Sequence, residues 1–172
     1  IKSSAASDVY KRQTQLLSEK AFQFSPAELF LIHKRLFTGV FKHAGEIRSY
    51  NISKKEWVLK GDSVFYASFE SIKDTLDYDF NQEKAFSYEG LTIQKAIEHI
   101  SDFTAGIWQI HPFCEGNTRT TAVFILKYLS TFGFSLSNSV FAKNSWYFRN
   151  ALVRANYNNL QKGISSTTKY LN

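Results

Sequence analysis

The sequence predicts a mainly α fold with one small β-hairpin. Apolar residues recur at steps of three and four along several long stretches, which is the spacing of a buried helix face. Two short β-prone runs flank a Lys-Gly-Asp turn, and this pattern indicates the hairpin. The chain has 172 residues, of which 44% are hydrophobic. This is enough for about one domain with its own core.

The N-terminal part is predicted to contain a polar segment and then a helix. Residues 1–13 are small and polar without a sustained apolar period, so we expect them to be flexible and to add little to the core. The domain is then expected over residues 14–172. A helix is predicted over residues 26–42, because Ser25 suits the N-cap and Pro26 suits the first helical position. Its apolar face consists of Leu29, Ile32, His33, Leu36, Phe37 and Val40.

The central part is predicted to form the hairpin. Its strands are expected at residues 56–59 and 63–66, with the turn at residues 60–62. A two-stranded hairpin is marginal by itself in water, so it must pack against helices.

Four further helices are predicted along the rest of the chain. Their expected ranges are 68–80, 92–110, 117–132 and 144–160. The second of them has the clearest apolar stripe, formed by Ile93, Ile97, Ile100, Phe103, Ile107 and Ile110. Gly133 is expected to end the third, because glycine readily adopts the left-handed conformation that closes a helix.

Composition excludes several classes of protein. The single cysteine rules out an intrachain disulfide, and no apolar run approaches the roughly 18 residues of a membrane span. The N-terminus lacks the apolar core of a signal peptide, so a cytoplasmic protein without membrane contact is expected. The net charge of +6 favours a polyanionic ligand such as a nucleotide triphosphate. The basic residues are scattered, which disfavours a dedicated nucleic-acid binder.

The residues suited to chemistry lie together in the segment HPFCEGNTRT, between two predicted helices. His111 could take a proton from a hydroxyl at neutral pH, and Glu115 could hold a Mg²⁺ ion that bridges phosphates. Gly116 would let the backbone approach an anion closely at the start of the next helix. Asn117 adds a side-chain donor, and Arg119 adds a planar fork for phosphate oxygens.

Plainer interpretations of the same segment stay open at this point. A loop histidine is often only hydrogen-bonded, and Asn117 could be an ordinary N-cap. Glu115 and Arg119 could form a local ion pair, since they are four residues apart. The residues alone do not separate these alternatives from a Mg²⁺-dependent nucleotide site.

The segment from His111 to Arg119 resembles the signature of the Fic family, which reads His-Pro-Phe-any-Asp/Glu-Gly-Asn-Gly/Lys-Arg. Two further stretches, IHKRLF and AGEIR, resemble the upstream helix and turn of that family, and the hairpin lies where the family has its "flap". The resemblance implies the mainly α Fic core. It also implies transfer of AMP from ATP to a Tyr, Ser or Thr hydroxyl of a target protein, with release of pyrophosphate.

The resemblance also implies roles for individual residues. His111 would be the base, and Glu115 would bind the Mg²⁺ held by the α- and β-phosphates. The nucleotide would be bound by Gly116, Asn117, Thr118 and Arg119. Asn117 would contact the α-phosphate, and Arg119 the distal phosphates. The flap would pair with an extended target segment through Ser63, Val64, Phe65, Tyr66 and Ala67. Such pairing recognises a backbone more than side chains, so the target stays unnamed.

Two positions depart from the family pattern. Thr118 replaces a Gly or Lys, and a threonine would be strained there if the position were left-handed. Ala122 replaces a second arginine that in many members holds the γ-phosphate. The alanine at position 122 has two possible consequences. One is weaker ATP binding, and the other is a different donor, such as another nucleotide or a phosphocholine carrier. A peptide-binding Fic module without catalysis is the remaining alternative.

Regulation and the remaining residues of interest complete the expectations. No Ser or Thr lies four residues before any Glu, so the inhibitory motif of many relatives is absent. A truncated chain, restraint by a separate inhibitory partner, and no restraint all stay open. Cys114 is expected to be an ordinary loop residue. A structural role is expected for His33, His99 and Tyr157. Two positions are equally suited to a structural role and to a place at the mouth of the nucleotide cleft, namely His43 and Arg48.

Overall fold

The computed structural model describes residues 3–56, 59–133, 149–157 and 165–172. Its helices are α1 (Ser3–Ser18), α2 (Pro26–Phe37), α3 (Ile72–Ala85), α4 (Ile93–Ile110) and α5 (Asn117–Ser130), and residues 149–155 are helical as well. Its strands are β1 (Ser53–Lys55) and β2 (Ser63–Phe65). The predicted mainly α fold with a small hairpin is therefore confirmed.

The chain divides into two compact units. The first unit comprises residues 1–48 and 112–143, and the second comprises residues 49–111 and 144–172. In the first unit, α1, α2 and α5 pack on one another. Its core includes Val9, Leu29, Ile32, Leu36, Phe37, Val123 and Phe124, all at most 2% exposed.

The expectation that residues 1–13 add little to the core is wrong. Most of them belong to α1, in which Val9 is fully buried and Gln13 is 4% exposed. The buried Lys127 ammonium of α5 also donates to the carbonyls of Leu16 and Glu19, at 2.6 and 2.8 Å. The end of α1 is therefore held by a tertiary cap, for which the N-terminal sequence gives no signal. The limits of the domain stay a prediction.

Helix α2 starts as predicted and ends earlier than predicted. The Ser25 hydroxyl accepts a hydrogen bond from the Glu28 amide at 3.3 Å, and Pro26 is the first helical residue. The helix ends at Phe37, because Thr38 takes an extended ψ of 125° and Gly39 a left-handed φ of 81°. The predicted range of 26–42 is thus about one turn too long.

In the second unit, the hairpin is real but its first strand lies earlier than predicted. Ser53, Lys54 and Lys55 pair antiparallel with Phe65, Val64 and Ser63. The range 56–59 does not extend β1, since Leu59 lies in a helical turn and residues 57 and 58 fall outside the described residues. Polar residues form β1 because pairing with β2 outweighs their weak β-propensity.

The remaining helices of this unit follow the predictions with shifted ends. Helix α3 begins at Ile72 rather than at 68, after a short 3-10 turn, and α4 matches its range. Only the later part of the α4 stripe is buried, since Ile93 is 74% exposed. The hairpin packs into a cluster formed by Leu59, Val64, Trp108, Leu152, Val153 and Tyr157. Much of the predicted helix 144–160 lies outside the described residues.

Among the helices that the structure describes, none combines the length and the apolar character needed to cross a membrane.

Candidate active site

The candidate motif joins the end of α4 to the start of α5. Its histidine, His111, belongs to the second unit, and the residues from Pro112 onward belong to the first. The local environment of each part is set within its own unit.

His111 closes α4 in a left-handed conformation, with φ 51° and ψ 61°. Glycine is the usual residue in this conformation, and a side chain there costs roughly 1–2 kcal/mol. The imidazole is only 3% exposed. Its Nδ1 donates to the Trp108 carbonyl at 3.0 Å, because a carbonyl oxygen can only accept. In the neutral ring this places the proton on Nδ1 and makes Nε2 the basic nitrogen.

Aromatic rings hold this imidazole. The Tyr66 ring stacks on it with centroids 3.8 Å apart and planes at 21°. The Trp108 ring meets it edge-on, at 5.1 Å and 89°. The histidine is therefore held by ring packing and by a backbone carbonyl of its own helix.

In the first unit, Asn117 fixes the shape of the motif loop. Its Oδ1 accepts from the Phe113 amide at 3.0 Å, and its Nδ2 donates to the Phe113 carbonyl at 2.7 Å. The side chain is 3% exposed. The N-cap interpretation of Asn117 is wrong, since Gly116 occupies the N-cap and Asn117 is the first helical residue. Its proposed contact with the α-phosphate stays a prediction.

Gly116 is required by its surroundings as well as by its backbone. Its φ is 82°, and a Cβ added there would lie 2.4 Å from Cε2 of Phe37. A larger residue would collide with a ring that is itself buried in the core. The start of α5 therefore lies directly against α2, with its first amides at the loop.

His33 connects three segments of the first unit. Its Nδ1 accepts from the Gly45 amide at 2.8 Å, so Nε2 carries the proton and donates to the Glu115 carbonyl at 2.8 Å. Its ring stacks on Phe113 at 3.8 Å and 10°. Burial lowers the pKa of His33 to about 4, so the ring is neutral at pH 7.

The structural interpretation of His33 is thus supported, and sequence reasoning missed that it supports the motif itself. Only the resemblance of the AGEIR turn to the family pattern hinted that this segment belongs with the motif. Arg48, in the same turn, is 2% exposed and donates its amide to the Pro112 carbonyl at 2.8 Å. Its burial favours the structural position over the cleft mouth.

The two charged side chains of the motif, Glu115 and Arg119, do not pair with each other. Within the described part of the chain, neither the Glu115 carboxylate nor the Arg119 guanidinium has an ion pair or hydrogen bond. The local ion pair considered for them is therefore not formed. Glu115 is exposed, whereas Arg119 is half-buried, and burial lowers the pKa of its guanidinium. An uncompensated, partly desolvated cation at a helix start suits an anion.

The two departures from the family pattern have different consequences. Thr118 lies inside α5, where no residue has a positive φ. The backbone strain that a left-handed threonine would have is therefore absent. Ala122 is 2% exposed on the same helix and supplies no charge. Of the motif positions of α5, Arg119 is the one that carries a positive charge.

The donor set fits Mg²⁺ bound mainly by substrate. In the described ranges, no group of three or more His, Cys, Asp or Glu side chains could hold a metal ion. Mg²⁺ is commonly bound by one or two carboxylates together with substrate phosphates and water. The Glu115 carboxylate is exposed, and no described residue forms an ion pair or hydrogen bond with it. It is therefore compatible with binding Mg²⁺ together with substrate phosphates.

The flap is a braced hairpin with an exposed ring. Phe65 is 74% exposed, and β2 has a strand partner only on its β1 side among the described residues. Behind it, the Glu56 carboxylate receives two hydrogen bonds from Arg149, both at 2.7 Å. Tyr157 donates to the Asp62 carboxylate and is 6% exposed, which confirms its expected place in the core.

The buried His111 and the start of α5 thus belong to one continuous motif of a mainly α chain. The profile of the Fic/DOC family matches residues 23–129, and the chain belongs to that family.

Individual relatives agree with this assignment. The probable protein adenylyltransferase Fic of Salmonella typhimurium is 27% identical over 120 residues, which are 69% of this chain and 56% of that protein. The chain thus spans just over half the length of this relative. Among solved structures, BepC of Bartonella tribocorum with bound AMPPNP has a TM-score of 0.73 and 23% identity, over 98% of this chain and 80% of BepC.

The N-terminal Fic domain of a Bep effector from Bartonella sp. AR 15-3 has a TM-score of 0.77 and 22% identity, over 98% of this chain and 76% of that one. At these identities the two structures show a shared fold and no more.

Proposed function

We propose that this protein is a protein adenylyltransferase, which transfers AMP from ATP to a Tyr, Ser or Thr hydroxyl of a target protein. The observation that carries the proposal is the state of His111. Its Nδ1–H is bonded to the Trp108 carbonyl, so its Nε2 is the nitrogen that can accept a proton. The Arg119 cation at the start of α5, with which no side chain of the described residues pairs, supports the nucleotide half of the reaction.

In the proposed reaction, His111 Nε2 accepts the proton of the target hydroxyl. The hydroxyl oxygen attacks the α-phosphorus of ATP, the bond between that phosphorus and the bridging oxygen breaks, and pyrophosphate leaves. The amides at the start of α5 and the Arg119 guanidinium would stabilise the negative charge of the phosphates. Mg²⁺, when bound through Glu115 and phosphate oxygens, would neutralise further charge.

The target would approach the flap as an extended strand. Its backbone would pair with the edge of β2 that faces away from β1. The exposed Phe65 ring would add apolar contact, and Ser63, Val64, Tyr66 and Ala67 would form the rest of the docking segment. A cytoplasmic location and a separate inhibitory partner remain predictions.

Ala122 supports a second candidate, the same transfer with another donor. This buried position carries no cation to contact the distal phosphates. A donor with less charge beyond the α-phosphate would therefore lose less binding free energy than ATP does. A phosphocholine carrier would meet this condition, whereas another nucleoside triphosphate carries the same phosphate charge as ATP and would differ from it only in its base. The mass added to an acceptor would identify the donor.

Intact-protein mass spectrometry after incubation with ATP and Mg²⁺ tests the proposal. We expect His111→Ala to reduce AMP transfer by about 10²- to 10⁴-fold, the usual contribution of a general base. His99→Ala, which removes a half-buried histidine whose partners Glu83 and Phe86 lie outside the motif, is the matched control. Labelling is first measured on the chain alone, and a cell extract supplies acceptors if the chain does not label itself. Equal labelling by wild type and His111→Ala would contradict the proposal, and so would failure of the wild type to bind ATP.

A further inference from the structure

Tyr66 connects the flap to the histidine of the motif. It directly follows β2, and its ring stacks on the His111 imidazole at 3.8 Å. The same ring meets Trp108 edge-on, at 5.4 Å and 75°. Trp108 also supplies the carbonyl that accepts from His111 Nδ1. Three rings therefore form one contact group within the second unit.

The conformation of His111 needs such support. A histidine with φ 51° is less stable than one in the helical region, and its helix ends at the preceding residue. The hydrogen bond at Nδ1 fixes one atom of the ring, and a surface packed against the ring face limits the tilt of its plane. The face of the Tyr66 ring, nearly parallel to the imidazole, is that surface.

The ring of Tyr66, rather than its hydroxyl, makes these contacts. Its Oη is buried and has no hydrogen-bond partner in the described part of the chain. Burial, and then the nearby Glu56 carboxylate, raise the pKa of Tyr66 to about 12, so the hydroxyl is neutral at pH 7. A buried hydroxyl without a partner destabilises a fold, so its removal is expected to be harmless.

We propose that Tyr66 is a positioning residue whose stacked ring holds the His111 imidazole in the orientation and Nδ1–H tautomer required of the base. Tyr66, whose ring would orient the base, then directly follows β2, the flap strand that would bind the target. This inference rests on the proposed function for the role of His111, but the placement of the ring is measurable without any reaction.

The test is nitrogen-detected NMR of the histidine side chains at neutral pH, on the full chain without nucleotide. The chain has four histidines, and the spectrum of His111→Ala identifies the signal of His111. Tyr66→Leu removes the ring, Tyr66→Phe keeps it, and Tyr78→Leu removes a 64% exposed tyrosine elsewhere in the same unit. Tyr66→Met is a second truncation, for use if Tyr66→Leu does not fold by circular dichroism.

We expect Tyr66→Phe and Tyr78→Leu to keep the Nδ1–H tautomer and the ring-proton shifts of wild type. In the truncated variant we expect a mixture of tautomers and loss of the upfield shift that a stacked ring causes. Where transfer is measurable, its kcat should fall about tenfold or more, with the KM for ATP unchanged. An unchanged His111 signal in the truncated variant would overturn the proposal, as would an equal change in Tyr66→Phe. Absence of transfer in the wild type would contradict the proposed function alone.

Discussion

The two parts of the motif are held by different kinds of contact. In the first unit, the loop is held by paired hydrogen bonds from Asn117 and His33 and by close packing of Gly116. In the second unit, the contacts of His111 include the face of the Tyr66 ring, the edge of the Trp108 ring and the Trp108 backbone carbonyl.

This difference indicates how each part tolerates change. A hydrogen bond between buried groups needs a particular donor and acceptor, and loss of one partner leaves the other unsatisfied. Ring stacking needs a flat surface, which more than one residue type supplies. The loop is therefore expected to fail with single conservative substitutions, and the histidine environment to accept a ring for a ring.

Gly116→Ala should have the largest effect on the loop. The new Cβ would lie 2.4 Å from the buried Phe37 ring, and the residue would keep a φ of 82°. We expect a loss of about 3–4 kcal/mol in the free energy of unfolding, from overpacking and backbone strain together. Urea denaturation measures it.

Gly39→Ala separates these two causes. Gly39 has nearly the same φ, 81°, and no atom of the described residues lies within 4 Å of an added Cβ. It should cost only the backbone part, about 1 kcal/mol. Equal losses at the two glycines would show that contact with Phe37 does not matter.

His33→Ala should come next, and its effect should depend on pH. The substitution leaves the Gly45 amide and the Glu115 carbonyl without their partner, which should cost about 2–3 kcal/mol at pH 7. Burial lowers the pKa of His33 to about 4, so the unfolded chain takes up the proton first as the pH falls. The stability that the imidazole provides is therefore complete above about pH 6.5 and declines toward pH 4.

Urea denaturation of both proteins at pH 7.5, 5.5 and 4.5 checks this dependence. The gap between wild type and His33→Ala should narrow as the pH falls. A gap that stays constant over this range would show that His33 is not held neutral by burial.

Local signals predicted the helices and the motif, and tertiary contacts decided what the sequence could not predict. Ser25 and Pro26 placed the start of α2 because capping involves only neighbouring residues. By contrast, β1 exists through pairing with β2, and α1 is held by Lys127, more than 100 residues away. The links from His33 to residues 45 and 115 span 12 and 82 positions of the sequence. The signature identified the motif, whereas the contacts that hold its residues in place required the fold.

Thr118→Gly should have the smallest effect. Thr118 lies in the first turn of α5 with an ordinary helical backbone, so no glycine is required there. We expect a loss of at most about 1 kcal/mol, the usual cost of glycine in a helix. A clear gain in thermal stability would instead show that threonine is strained at this position.

Calorimetric titration with ATP and Mg²⁺ tests most directly whether Arg119 serves nucleotide binding and His111 serves proton transfer. The account predicts that His111→Ala binds ATP as wild type does, because the proposed base would act on the target hydroxyl and not on the nucleotide. The account also predicts that Arg119→Gln binds ATP roughly 10- to 100-fold more weakly than wild type, the usual value of a charge-assisted contact. Two results would contradict the account: equal ATP affinity in wild type and Arg119→Gln, or loss of ATP binding in His111→Ala with binding retained in Arg119→Gln.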